Sequence, residues 1–149
     1  MQDALELLEL GAAAVAMTNA HSLTREALAL GALGLQQHLD RVRALHAVVV
    51  AEADRQRVWE GSGARNMADW LAGRTNTSYG DAASRVRLGE AFTASPELKD
   101  AVDNGDISAA AAESLFDAVT NPPDGADVSE LLDAVKGAGP RDAKDAAEK

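Results

Sequence analysis

The chain has 149 residues, of which 46% are hydrophobic, only 3% are aromatic and 32 are alanine. Many alanines and few aromatic residues favour helices and disfavour an all-β or a nucleotide-binding α/β fold, because alanine loses least free energy on entering a helix. The absence of cysteine excludes disulfides, cysteine-based zinc sites and thiol catalysis, and the net charge of -10 opposes nonspecific binding to nucleic acid.

Neither a membrane segment nor a secretory signal is expected. No apolar run reaches the roughly 18 residues of a membrane span, and residues 1–10 lack the basic region of a signal peptide. We therefore expect a cytoplasmic protein without a membrane partner.

The charge is distributed unevenly along the chain. Residues 93–149 carry thirteen acids and five bases, whereas residues 59–92 carry four of each. The neutral middle of the chain could therefore approach DNA, whereas the acidic last third could not do so easily.

The first part of the chain is predicted to form two helices. Apolar residues from Leu5 to Val15 recur at helical spacing, which predicts a helix over residues 3–18. A second helix begins at Ser22 or Thr24 and continues to about Trp59, with Gly31 and Gly34 as weak points. It carries a seven-residue stripe formed by Leu28, Leu35, Val42 and Val49, with Ala32, Leu39, His46 and Ala53 four residues after each. Such a stripe is typical of a long helix that packs along another helix, so residues 1–58 are predicted to form a helical hairpin.

Residues 59–149 are predicted to form a bundle of short helices that packs on this hairpin as one continuous domain. The helix starts and ends are marked by capping residues. The first predicted helix begins at Asn66 and ends at Gly73, and the second begins at Thr77 or Ser78, with Asp81 as the partner of Ser78. The following helices begin at Ser95 with Pro96, run from Ser108 to about Val119, and begin at Asp127 and at Pro140, with a loop at residues 121–125. The predicted fold is therefore all-α and elongated, with one long central helix and several short capped helices.

Several sequence blocks occur in an order that resembles a known family. They are Trp59-Glu60-Gly61, residues 66–72, residues 81–88, Ser95-Pro96 and residues 101–108. Together they resemble the 13E12 repeat family, also called domain-of-unknown-function family 222, over roughly residues 35–149. Proteins of this family are common in high-GC bacteria and usually carry this helical region before an HNH endonuclease domain.

The resemblance implies a parent protein that cuts DNA with a divalent metal ion, and we expect its nuclease domain to lie beyond Lys149. The HNH site requires a histidine that activates water and further metal ligands. This chain has no cysteine and no histidine after His46. We therefore expect no catalytic residue, no metal site and no small-molecule cofactor in it.

The three histidines give no metal-binding pattern. His38 and His46 are eight residues apart, whereas two ligands on one helix are usually three or four residues apart. His21 stands alone in a predicted joint. We interpret all three as structural or exposed side chains, with His46 in the apolar stripe and able to pair with a carboxylate.

The joint at residues 73–77 resembles the turn of a helix-turn-helix motif. In that interpretation the side chains that contact DNA are Arg74, Ser78, Tyr79, Arg85 and Arg87. The alternative is an ordinary corner between two helices with its arginines in solvent. The neutral charge of the segment and the presence of Asp81 and Glu90 favour this alternative.

Trp59 and Trp70 lie on either side of the Gly61–Gly63 break and could form an interface. We interpret them instead as structural anchors between the short and the long helix, because large aromatic side chains are usually buried.

The stripe of the long helix must also be covered. Cover by the first helix and later helices is slightly favoured, and a homodimer, which would place two nuclease domains on one DNA duplex, is the alternative.

These observations predict a noncatalytic helical module of an HNH-endonuclease-associated protein, serving DNA engagement, dimerisation or regulation. One alternative is an autonomous helix-turn-helix-like DNA-binding domain. Another is a protein-interaction module unrelated to nucleases. A third, an enzyme in its own right, is not expected.

Overall fold

The computed structural model describes residues 1–122 and 128–136, and these residues form helices and no strand. The all-α prediction is therefore confirmed. The helices are α1 (Gln2–Ala16), α2 (Arg25–Arg55), α3 (Met67–Thr75), α4 (Tyr79–Ala94), α5 (Pro96–Asn104), α6 (Ala109–Ser114), α7 (Phe116–Thr120) and α8 (Val128–Val135). The predicted cap at Asp127, the helix from Pro140 and most of the loop at residues 121–125 lie outside the described residues.

The chain divides into two compact units, Met1–Gln36 and Gln37–Lys149. The first unit contains α1, a 3-10 turn at Ala20–Ser22 and the start of α2. Helix α1 ends at Ala16, two residues before the predicted end, and the Asn19 side chain caps the 3-10 turn by accepting from the backbone N–H of His21. The Thr24 hydroxyl accepts from the backbone N–H of Ala27 and begins α2. Helix α2 is continuous through Gly31 and Gly34.

The second unit has two clusters of buried side chains. The larger cluster joins the alanines of α2 to apolar residues of α4, α5, α6, α7 and α8, and Leu98 and Leu115 are completely buried in it. The smaller cluster joins Val50 of α2 to Met67 and Leu71 of α3. Trp59 and Trp70 are half-buried against the smaller cluster, and the Trp59 indole N–H donates to Asp54 Oδ1 at 2.7 Å.

Helices α2 and α4 come unusually close at Gly89. A Cβ atom added to Gly89 would lie 2.3 Å from the carbonyl oxygen of Ala47 and 2.7 Å from the Cβ of Ala51. Only a residue without a side chain fits this position, since no ordinary packing brings a methyl group so near a carbonyl oxygen. The small residues on both helices therefore set the distance between them.

Four of the predicted N-caps are confirmed. In each case a side-chain oxygen accepts a hydrogen bond from the backbone N–H three residues later. The pairs are Asn66 with Asp69 (2.9 Å), Ser78 with Asp81 (3.0 Å), Ser95 with Leu98 (3.2 Å) and Ser108 with Ala111 (3.1 Å). These caps satisfy donors that a helix start leaves without an intrahelical partner.

Some predicted helix ends are wrong. Gly73 lies inside α3, and the helix ends two residues later because Asn76 adopts a left-handed conformation with φ of 54°. The long helix ends at Arg55 rather than near Trp59, and Arg57 follows it with a positive φ. The predicted helix over residues 108–119 is broken at Leu115 into α6 and α7, and Leu115 at this break is completely buried.

One buried carboxylate links distant parts of the second unit. Asp40 of α2 is buried, and its Oδ1 atom accepts a hydrogen bond from the backbone N–H of Ala109 at 3.2 Å. This N–H belongs to the first turn of α6, where a negative charge is favourable. Asp40 therefore holds the start of α6 against α2.

Candidate functional site

The first unit exposes an unusual amount of apolar surface. None of its residues is buried, although it contains twelve large hydrophobic side chains. They are Met1, Leu5, Leu7, Leu8, Leu10, Val15, Met17, Leu23, Leu28, Leu30, Leu33 and Leu35. We call this set the N-terminal apolar surface. Leu7, Leu10, Leu30 and Leu33 are the most open of its leucines, with exposed fractions of 67–73%.

The stripe of α2 does not face the interior of the chain. Its four defining residues, Leu28, Leu35, Val42 and Val49, have exposed fractions of 40–45%. The buried residues of α2 are Asp40, Ala44, Ala47 and Val50. Val42 and Val49, the two stripe residues in the second unit, are therefore only partly covered, and cover of the whole stripe stays a prediction. The packed side of α2 is its alanine side, because Gly89 allows α4 to approach there.

The residues predicted to contact DNA lie along α3 and α4. The Arg74 guanidinium lies 4.7 Å from the centre of the Trp70 ring, a cation–π arrangement. The Ser78 hydroxyl is engaged with Asp81 in the helix cap. The Tyr79 hydroxyl accepts a hydrogen bond from Asn66 Nδ2 at 3.3 Å. Each of these three side chains therefore has a partner within the chain.

Arg85 and Arg87 do not share a face of α4. They are two residues apart, which places them about 200° apart around the helix. Arg85 is half-buried and donates to the backbone oxygen of Asp81 at 2.6 Å. Arg87 is exposed and pairs with Glu113 at 3.3 Å. The DNA-contact residues stay a prediction.

The histidines are not grouped. His21 lies in the 3-10 turn of the first unit, and His38 and His46 lie on α2. His46 has no carboxylate partner among the described residues, and its pKa is lowered from the usual 6.5, first by burial and then by the positive charge of Arg85. In the described ranges no group of three or more His, Cys, Asp or Glu side chains could hold a metal ion.

A small polar cleft in the second unit brings Arg43 and His46 of α2 beside Arg85 of α4. Sequence inspection missed this cleft, because its residues come from separate helices. The spacing of Arg43 and His46, three residues apart on one helix, is the one signal from which it could have been found. Across the described part of the chain, no helix combines the length and the apolarity that crossing a membrane requires.

Comparison with known proteins identifies a family for the chain but no individual related protein. The profile of a family described as "Domain of unknown function (DUF222)" matches residues 32–139. No curated protein and no solved structure matches the chain. The matched region begins inside α2, so α1 and the 3-10 turn precede it.

Proposed function

The chain belongs to the DUF222 family, whose description assigns no activity, and we propose that it is a noncatalytic association module that pairs with a second copy of itself. The pairing uses the N-terminal apolar surface. In line with the sequence resemblance, we further propose that the parent protein carries an HNH endonuclease domain and that pairing brings two such domains together. The observation that carries the pairing proposal is a unit with twelve large apolar side chains and no buried residue.

The exposed apolar area of the first unit is close to the area that one partner buries in a standard interface. Burying a leucine contributes about 2.5 kcal/mol at about 25 cal/mol per Å², which corresponds to roughly 100 Å² of apolar area. Twelve such side chains that are about 60% exposed present roughly 700 Å². The largest apolar patch of a typical monomer measures about 300–600 Å², and a standard interface buries about 800 Å² on each partner.

The partner proposed for the N-terminal apolar surface is a second copy of the same chain. In a two-fold dimer the same surface lies on both sides of the interface, so no further partner is required. Leucines seven residues apart, such as Leu28 and Leu35, are typical of helices that pair with like helices. The first unit also lacks a core of its own, and short helices without tertiary packing are marginal in water.

The charge of the first unit distinguishes a second copy from a basic partner. The unit carries four acids and one base, a net charge of -3. Two copies therefore repel each other weakly, and added salt screens this repulsion. We expect the dimer to strengthen with salt, whereas binding to a basic partner would weaken.

Sedimentation equilibrium of the full chain tests this proposal. We expect a dimer for the wild type and a monomer for a variant with Leu7→Gln, Leu10→Gln, Leu28→Gln and Leu35→Gln. The control variant, Leu45→Gln with Val58→Gln, changes exposed apolar residues of the second unit and should remain dimeric. A cooperative urea transition shows that the second unit of each variant is folded. A wild-type monomer at high micromolar concentration, or a dimer that both variants retain, contradicts the proposal.

The nuclease context has a separate test. We expect the native gene to encode, downstream of this segment, paired CxxC motifs and the histidines of an HNH site. The reading frame of that gene shows whether an HNH domain is encoded there, and this result is independent of whether the chain forms a dimer. A frame without such an HNH site would remove the nuclease context.

A further inference from the structure

The polar cleft of the second unit lies between α2, α4 and α6. It has a volume of about 180 Å³. The titratable groups around it are Arg43 and His46 from α2, Asp81 and Arg85 from α4, and Glu113 from α6. Pockets for drug-sized molecules usually measure roughly 300–1,000 Å³, so this cleft suits a small ion.

The cationic groups of the cleft keep unused hydrogen-bond donors. Arg43 and His46 make no hydrogen bond or ion pair with the described residues. Arg85 uses one nitrogen, Nη1, to donate to the backbone oxygen of Asp81. A guanidinium has five N–H donors in a planar fork, so most donors of both arginines remain available.

The two carboxylates of the cleft are engaged elsewhere. Glu113 pairs with Arg87, and Asp81 Oδ2 accepts from the Ser78 hydroxyl at 2.8 Å. Neither forms an ion pair with Arg43 or Arg85. Because Glu113 is already paired with Arg87, which lies outside the cleft lining, Asp81 is the one carboxylate of the lining that faces Arg43 and Arg85 without a cationic partner, and this leaves an excess of positive charge.

His46 reports the electrostatic state of this space. Burial and the nearby positive charge of Arg85 lower its pKa from the usual 6.5. An anion bound beside Arg43 and Arg85 would offset that positive charge and raise the pKa again. The imidazole also adds an N–H donor to those of the two arginines.

We propose that the cleft formed by Arg43, His46 and Arg85 binds a small oxyanion, with inorganic phosphate or a phosphate monoester as the expected chemical class. The forked N–H groups of arginine match the geometry of phosphate oxygens. The Ser84 side chain also lines the cleft and is a candidate neutral donor. This site does not depend on dimer formation.

Titration of the histidines by NMR tests this proposal on the full chain. The pKa of each imidazole is measured with inorganic phosphate and with chloride at equal ionic strength. We expect phosphate to raise the pKa of His46 by about one pH unit, whereas His21 and His38 stay unchanged. An equal change at all three histidines, or none at His46, overturns the proposal.

Variants locate the binding site. Arg43→Gln should abolish the change at His46, and this exposed side chain has no partner among the described residues whose loss would unfold the chain. Arg85→Gln should act likewise. The matched control, Arg74→Gln, removes an arginine outside the cleft and should leave the change intact. A full response in Arg43→Gln and Arg85→Gln would refute the assignment.

A further titration distinguishes a free phosphate or monoester from the phosphodiester backbone of a nucleic acid. A dinucleotide phosphodiester replaces inorganic phosphate in the same titration. A response to phosphate alone supports a free anion or monoester as the ligand. An equal or stronger response to the phosphodiester contradicts that class and indicates the backbone of a nucleic acid.

Discussion

The close approach of α2 and α4 makes Gly89→Ala a sharp test of the fold. An alanine in place of glycine inside a helix normally stabilises the helix by up to about 1 kcal/mol. At Gly89 the added methyl group would lie 2.3 Å from the carbonyl oxygen of Ala47. Ordinary contact at 3.4 Å requires the two helices to separate by about 1 Å.

Separation of the helices also loosens contacts around the buried Ala44 and Leu88. Overpacking of this kind costs about 1–3 kcal/mol, and the upper end applies because a backbone atom cannot rotate away. After the gain in helix propensity, we expect a net loss of about 2 kcal/mol. The corresponding decrease in Tm is roughly 6 °C for a chain of this size.

Urea denaturation followed by circular dichroism measures this loss, with all variants at one protein concentration because association shifts apparent stability. Gly73→Ala is the matched control. Gly73 is an exposed helical glycine with no atom within 4 Å of an added Cβ, so we expect it to stabilise by up to about 1 kcal/mol. If Gly89→Ala were as stabilising as Gly73→Ala, the close approach of α2 and α4 would be refuted.

Three further predictions concern single side chains. Asp40→Ala removes the buried acceptor of the Ala109 N–H, and urea denaturation should show a loss of about 1–3 kcal/mol; Asp40→Asn keeps an oxygen there, so an equal loss in both would argue against this hydrogen bond. Because the pKa of His46 is lowered in the folded chain, the unfolded chain binds more protons as the pH falls through 6.5, and stability should decrease below that pH. His46→Gln should weaken this decrease, and an unchanged pH profile would exclude the effect. We expect no salt-dependent binding of duplex DNA in fluorescence anisotropy, and binding that Arg87→Glu abolishes would establish the helix-turn-helix alternative.

The helix caps were predictable from the sequence because they are local. A serine or asparagine three residues before the N–H that it accepts needs no knowledge of tertiary structure, and Asn66, Ser78, Ser95 and Ser108 all cap as predicted. The end of α3 was less predictable, since Asn76 adopts the left-handed conformation that Gly73 was expected to provide. Either residue type can end a helix in this way.

The packed side of α2 was not predictable from residue size. Large apolar residues at seven-residue spacing pointed to the side of Val42 and Val49, whereas the interior contacts Ala44 and Ala47. The deciding feature is a glycine more than forty residues away, because Gly89 allows helix α4 to pack directly on alanines. A pattern within one helix carries no information about such a partner.

The polar cleft was hidden for the same reason. Arg43, Arg85 and Glu113 are far apart in the sequence, and each looks like an ordinary solvent-exposed charge. Only the packing of α2, α4 and α6 places them around one space.

Amide hydrogen exchange in α1 as a function of protein concentration tests the central claim most directly, because it reports whether a second copy covers the leucines of this helix. We expect the amides of Leu7 and Leu10 to be protected at high concentration and to exchange freely on dilution, as pairing predicts. Protection in α1 that does not depend on concentration would show that the chain covers these residues by itself. Fast exchange at every concentration would show that no second copy binds there.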